Sequence, residues 1–176
     1  QYGITRMLNV AHGEFLMIGA YLTFFSFTLF GLNPYLSIIV IGPFMFLIGY
    51  LVYMLLLRGM VKSSKSGEEL EFRSLLLCFG LSFVIQNVAM ALWTSNYRGY
   101  EVPSLGTLDV LGVSFEMNRI VIALISIFIN VCLYLFLRFT KAGVAMRATV
   151  DQPDGSQLVG INITTICAMS FSLGIL

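Results

Sequence analysis

Residues 35–57 read YLSIIVIGPFMFLIGYLVYMLLL, 23 consecutive positions without Asp, Glu, Lys, Arg or His. As a helix this run is roughly 35 Å long, more than the ~30 Å hydrocarbon core of a bilayer. No water is available at that depth to satisfy backbone polar groups, so the conformation open to the run is a helix that bonds its own amides. It predicts a membrane-spanning helix with some tilt. Pro34 stands one residue ahead, where its fixed φ suits a first turn, and it disfavours helix at Asn33. Gly42-Pro43 lies inside the run and predicts a kink or local unwinding.

The same pattern recurs outward from this stretch. Phe15–Leu32 holds 18 residues without a charge, about 27 Å as a helix, and is broken at Gly31-Leu32-Asn33-Pro34. Ser74–Trp93 and Ile120–Leu137 give two more spans, and Ile163–Leu176 begins a fifth that is cut off. Trp93, Tyr97 and Tyr100 form an aromatic anchor at the interface. The fold class is all-α, a polytopic transmembrane helix bundle of four complete spans plus one truncated span. Because the chain starts at Gln1 and stops inside an apolar run, it is expected to be a piece of a longer protein.

Three polar intervals separate the spans. Residues 58–73 carry Arg58, Lys62, Lys65 and Arg73 against three glutamates, and read as a water-exposed loop. Residues 94–118 carry Arg98 as the clear positive charge, with a small hairpin predicted over Leu108–Phe115 around Gly112. Residues 138–162 carry Arg138, Lys141 and Arg147. Excess Lys and Arg mark cytoplasmic loops, so 58–73 and 138–162 are expected inside and 94–118 outside.

Composition agrees with a membrane body. The chain is 58% apolar and 11% charged, with a mean hydropathy of +0.90, whereas soluble domains carry roughly 25% charged residues. So much apolar surface cannot be hidden in a soluble core of this size. A net charge of +1 gives no attraction to nucleic acid. Cys78, Cys132 and Cys167 lie in apolar runs without a CxxC pair and read as small hydrophobes. No GxSxG, HExxH, Walker A or GxGxxG motif is present, and one histidine cannot build a multi-His metal site. An enzyme, a cofactor and a metal are therefore not expected. Asn162-Ile163-Thr164 fits a glycosylation sequon, but it falls on the expected cytoplasmic side at a helix start and is taken as chance.

Residues 15–57, 74–97, 120–137 and 163–176 contain no ionisable Asp, Glu, Lys, Arg or His. Such a group costs roughly 2.5–3.5 kcal/mol at a helix centre, and where one is retained it signals function. Its absence weighs against a proton relay and implies that uphill transport would draw energy from another subunit. Gln86, Asn87 and Asn130 are neutral polar groups at depth. Interhelical hydrogen bonds, worth about 0.6 kcal/mol each, account for them; alternatively Gln86 or Asn87 lines a polar solute path. His12-Gly13-Glu14 reads as a helix-start cap, or as a place where Gly13 permits irregular backbone while Asn9 and His12 face a cavity. Gly19, Ala20, Gly80 and Ser82 are small residues suited to close helix contact.

Lys141–Asn162, KAGVAMRATVDQPDGSQLVGIN, has order of its own. Asp151 is placed to N-cap a short helix, with Pro153 in its first turn, Asp154 at the third position and Gly160 just past the end. Val144, Leu158, Val159 and Ile161 are too few to insert in a membrane but enough to dock on something.

At residues 6–21, RMLNVAHGEFLMIGAY, the chain resembles the branched-chain amino acid ABC importer permeases of the LivH type. Residues 145–162, AMRATVDQPDGSQLVGIN, are similar to that family's cytoplasmic segment, and Val110–Phe115 to its external loop. Together the likeness extends over essentially all 176 residues. It implies one transmembrane permease domain in the cell inner membrane that pairs with a second permease, two cytoplasmic ATPase subunits and an external solute-binding protein. By that likeness Arg147, Asp151, Leu158, Gly160 and Ile161 belong to the segment coupling to the ATPase, while Asn9, His12 and Gly13 match the first motif. Branched-chain amino acids are the default solute; urea or other amides stay open, since related permeases share both motifs. Gly155-Ser156 stands where the family has alanines, and a helix-interior glycine costs up to about 1 kcal/mol, so the short helix is expected to fray until a partner holds it. The competing classes are a self-contained channel or facilitator for urea or an amide, which needs no docking helix, and a non-transporting assembly subunit.

Overall fold

In the computed structural model, which describes residues 5, 7–64, 66–94, 99, 106–110, 113–151 and 153–176, the apolar runs are helices. Helix α1, His12–Phe30, stops where Gly31 turns into the left-handed region (φ 63°) and its N–H bonds to Phe27 O. Asn33 then caps helix α2, Pro34–Val52, by accepting the Tyr35 N–H at 3.0 Å. Of the kink or local unwinding expected at Gly42-Pro43, the unwinding is not seen: α2 stays α-helical through Pro43. The irregularity comes later, as a π-helical turn over Tyr53–Leu57, which leads into α3, Arg58–Ser63.

Residues 58–73 are therefore not a loop. The polar ends of two helices meet there across Ser64–Ser66, because Ser66 starts helix α4, Gly67–Trp93. Its hydroxyl accepts the Glu69 N–H at 3.2 Å, and Glu68 and Glu69 in the first turn complement the helix dipole. Glu69 also pairs with Arg73 one turn on, at 2.6 Å. Ser66→Ala should lower the stability of the α4 start by about 1 kcal/mol, read as a fall in the thermal midpoint of the detergent-solubilised full-length protein; an unchanged midpoint would contradict the cap.

The expected hairpin is present: β1, Thr107–Val110, pairs antiparallel with β2, Val113–Glu116, with Thr107 opposite Glu116 and Val110 opposite Val113. Helix α5, Met117–Phe139, follows and buries none of its residues. Thr140 then links to a helix that was not expected, α6, Lys141–Asp151. The Thr140 hydroxyl accepts the Gly143 N–H at 3.1 Å, and a side chain at Gly143 would collide with the backbone of Leu137. Asp151, expected to cap the short helix α7, Pro153–Leu158, is the last residue of α6, and its side chain lies outside the described residues. Gly160 does end α7: with Gly160 at φ 84°, the Ile161 N–H reaches back to Ser156 O at 3.0 Å, the closure of a Schellman turn. Asn162 of the sequon accepts the Thr165 N–H at 3.4 Å and caps the last helix, α8, Ile163–Leu173.

Among the described residues four helices are long and apolar enough to cross a membrane: α1, α2 with its continuation to Val61, α4 and α5. The chain divides into two compact units, residues 1–99 with 146–176, and residues 100–145. The core of the first unit joins Phe15 of α1, Met45 of α2, Tyr53 and Leu57 of the π-helical turn, Cys78 of α4, and Cys167, Ala168 and Phe171 of α8. Cys78 and Cys167 are buried as small hydrophobes; Cys132 is exposed. The glycines that let helices approach are not Gly19 and Gly80, where an added Cβ meets nothing within 4 Å. The close approach is at Gly49, on the α2 face against α8, where an added Cβ would lie 3.0 Å from Ser172 Cα.

Candidate functional site

Contacts between α1 and α4 set the depth at which α1 begins. The Leu8 N–H donates to Ser74 Oγ at 3.1 Å. Further along both helices Glu14 meets Ser82 and Gln86, and Tyr21 stacks on Trp93 with ring centroids 4.4 Å apart. The two helices thus run in the same direction, with Glu14 level with the middle of the apolar run 74–93. Gln86 lies ~18 Å along that run at 1.5 Å per residue. Met7–Ala11, just ahead of α1, is not helical, and its Met7 and Ala11 are fully buried. Non-helical backbone at this depth is tolerated where protein covers it or a cavity adjoins it.

Residues 15–57 carry no ionisable group, as expected, but α1 begins at His12 and so also includes Glu14, one position before that run. Glu14 Oε1 accepts hydrogen bonds from Gln86 Nε2 at 2.6 Å and Ser82 Oγ at 3.1 Å. Bonds of this kind to a carboxylate are about twice as strong as neutral ones and offset part of the cost of desolvating it. Glu14 was not among the residues singled out from sequence, although it sits in the quoted His12-Gly13-Glu14 motif one position before the uncharged run.

The expected path residues separate. Gln86 reaches across to α1, whereas Asn87 Nδ2 bonds to Phe83 O in its own helix, as Asn130 Nδ2 does to Ser126 O. His12 is on a different side of α1. There it lines a cleft of about 360 Å³ with Phe15, Gly19 and Thr23 of α1, Ile41 and Met45 of α2, and Ile175 beyond α8. The Thr23 hydroxyl is satisfied by Gly19 O at 2.9 Å, so the walls are apolar and His12 is the polar group at the edge. Gly13 is the second residue of α1 and has open space around it; the irregular backbone is Met7–Ala11, which holds the half-buried Asn9. Among the described residues no group of three or more His, Cys, Asp or Glu is placed to hold a metal ion.

The expected coupling residues lie along 147–161. Arg147 is exposed on α6 opposite the buried Met146 and Thr149. Leu158 at the end of α7 and Val159 beside it are 90% and 82% exposed, Gly160 makes the turn, and Ile161 is half-buried. The side chain of Asp151 lies outside the described residues.

A family model described as "Branched-chain amino acid transport system / permease component" matches residues 1–175. The chain is 28% identical to the high-affinity branched-chain amino acid transport system permease protein BraD of Pseudomonas aeruginosa, over 98% of this chain and 59% of that protein. It is 28% identical to the probable branched-chain amino acid transport permease protein LivH of Methanocaldococcus jannaschii, over 92% of this chain and 51% of the relative. To the high-affinity permease protein LivH of Escherichia coli K12 it is 26% identical, over 98% and 58%. The chain thus spans a little over half the length of these curated relatives. No solved structure matches it. With a family match from one end to the other and four helices fit to span a bilayer, the chain belongs to the branched-chain amino acid transport system permease family and is a multi-pass membrane protein.

Proposed function

We propose that this chain is part of a permease subunit of an ATP-binding-cassette importer that moves branched-chain amino acids across the cell inner membrane. Partner ATPase subunits dock on residues 143–162 and supply the energy. The observation that carries this reading is the pair Leu158–Val159, two apolar side chains that are almost wholly exposed in a segment too polar to enter the bilayer. Exposed apolar side chains of this kind are covered by a partner when they are functional. The rest of the segment suits a lever. The Gly160 turn joins α7 to α8 within three residues of Asn162, the cap of α8. In turn α8 is embedded in the core, with Phe171 against Tyr53 of the π-helical turn at 6.1 Å. A push on Leu158 and Val159 would reach α2 through those contacts. Turns of this π type recur at functional positions in helices.

In this reading both compact units belong to one permease domain, 58–73 and 138–162 face the cytoplasm, and 94–118 faces outward. A second permease, two ATPase subunits and an external solute-binding protein complete the importer. The test is uptake of labelled L-leucine into proteoliposomes holding the full-length permease and its partners. Accumulation against a gradient should require both the ATPase subunits and ATP. Flux that merely equilibrates, and that persists without the ATPase, would instead support a self-contained facilitator.

A further inference from the structure

Glu14 is an ionisable group level with the middle of the apolar run 74–93, with no task in the transport scheme above. Its two protein bonds fall on one oxygen, Oε1, which holds Ser82 and Gln86. Among the described residues nothing donates to Oε2, and the ion pairs found are Arg73–Glu69 and Arg119–Glu116. Among the described residues Glu14 is oriented by neutral groups from α4 and paired with no cation. Carboxylates withdrawn from water are ordinarily paired with a cation or given further donors, since an uncompensated charge at this depth is costly. Its place is beside the non-helical stretch Met7–Ala11, where a water-filled path can be tolerated.

We infer that Glu14 receives the ammonium group of the amino acid in transit, with Ser82 and Gln86 fixing Oε1 so that Oε2 is presented to the solute. This rests on the reading of the chain as an amino acid permease and adds to it the residue that recognises the charged nitrogen. The competing explanation is that Glu14 only fastens the start of α1 to α4. Glutamine at position 14 separates the two, because its amide oxygen can keep both hydrogen bonds while the charge is lost.

The experiment uses the full-length permease with its partner permease, without ATP. Dicyclohexylcarbodiimide, an apolar reagent for carboxyl groups within membranes, is applied, and modification of Glu14 is followed by peptide mass spectrometry. Three probes are compared: L-leucine, 3-methylbutylamine (leucine without its carboxylate) and 4-methylpentanoate (leucine without its amine). The two amines should slow modification of Glu14, and 4-methylpentanoate should not. Glu14→Gln should reduce ATP-driven leucine uptake roughly tenfold or more, the equivalent of one lost charged hydrogen bond. Failure of Glu14 to react, equal reaction with and without the amines, equal protection by 4-methylpentanoate, or near-normal uptake by Glu14→Gln would each overturn the assignment. Protection is read without nucleotide, so its failure is distinct from a failure of ATP-dependent accumulation, which would strike the importer reading itself.

Discussion

Replacing Leu158 and Val159 together by aspartate should abolish ATP-driven uptake while leaving the full-length permease folded and inserted. Both side chains are almost fully exposed, so the exchange removes little from the packing of the chain itself, and surface substitutions of that kind usually cost within about 0.5 kcal/mol. On docking the balance reverses. Burying a Leu or Val side chain is worth about 1.5–3 kcal/mol, and two carboxylates in an apolar interface add a desolvation penalty. The combined loss corresponds to a fall in ATPase association of about a hundredfold or more. Copurification of the ATPase with the variant checks this directly, and association at the wild-type level would remove Leu158 and Val159 from the interface.

The second large effect is expected at Gly49→Leu. A Cβ at this position would already be 3.0 Å from the Cα of Ser172 and 3.2 Å from Ile175 Cδ1. The first of these neighbours is backbone and cannot rotate away. Leucine adds three further carbons at the crossing of α2 and α8, where Met45, Phe171 and Ile175 are already buried. Overpacking a well-filled core costs about 1–3 kcal/mol, and here the helices must also separate. The variant should be lost as a folded species, read as a lower yield of monodisperse protein and a lower thermal midpoint. Gly80→Leu is the control, since the space around Gly80 in this chain is open. Equal behaviour of the two variants would refute close packing at Gly49.

Much of this fold is legible in the sequence because the bilayer restricts the choices. A run such as 35–57 has one conformation open to it, and Asn33-Pro34, Gly160 and the alternation that pairs β1 with β2 are local signals that tertiary contacts did not override. The misses are of a different kind. Ser66 and Glu69 encode the start of α4, yet the surrounding charges make 58–73 look like a loop, although charge in a first helical turn is itself a start signal. Thr140 caps α6 through Gly143, a weak pattern hidden in a short polar interval. The π-helical turn at Tyr53 has no breaker residue at its site, so composition could not disclose it. Glu14 was missed because a count of uncharged residues starts after the last charge, whereas the helix starts before it. Its depth is set by the register of α1 on α4, through Ser74, Gln86 and Trp93, and that register is a tertiary fact.

The central claim is that a membrane-embedded body is driven through the turn at 158–160. The most direct measurement is site-specific labelling of the full-length permease carrying Leu158→Cys, with Cys132→Ser to remove the exposed native thiol. A membrane-impermeant maleimide should react at position 158 from the cytoplasmic face, and bound ATPase should shield it. Reaction only from the outer face, or an identical rate with and without the ATPase, would contradict it.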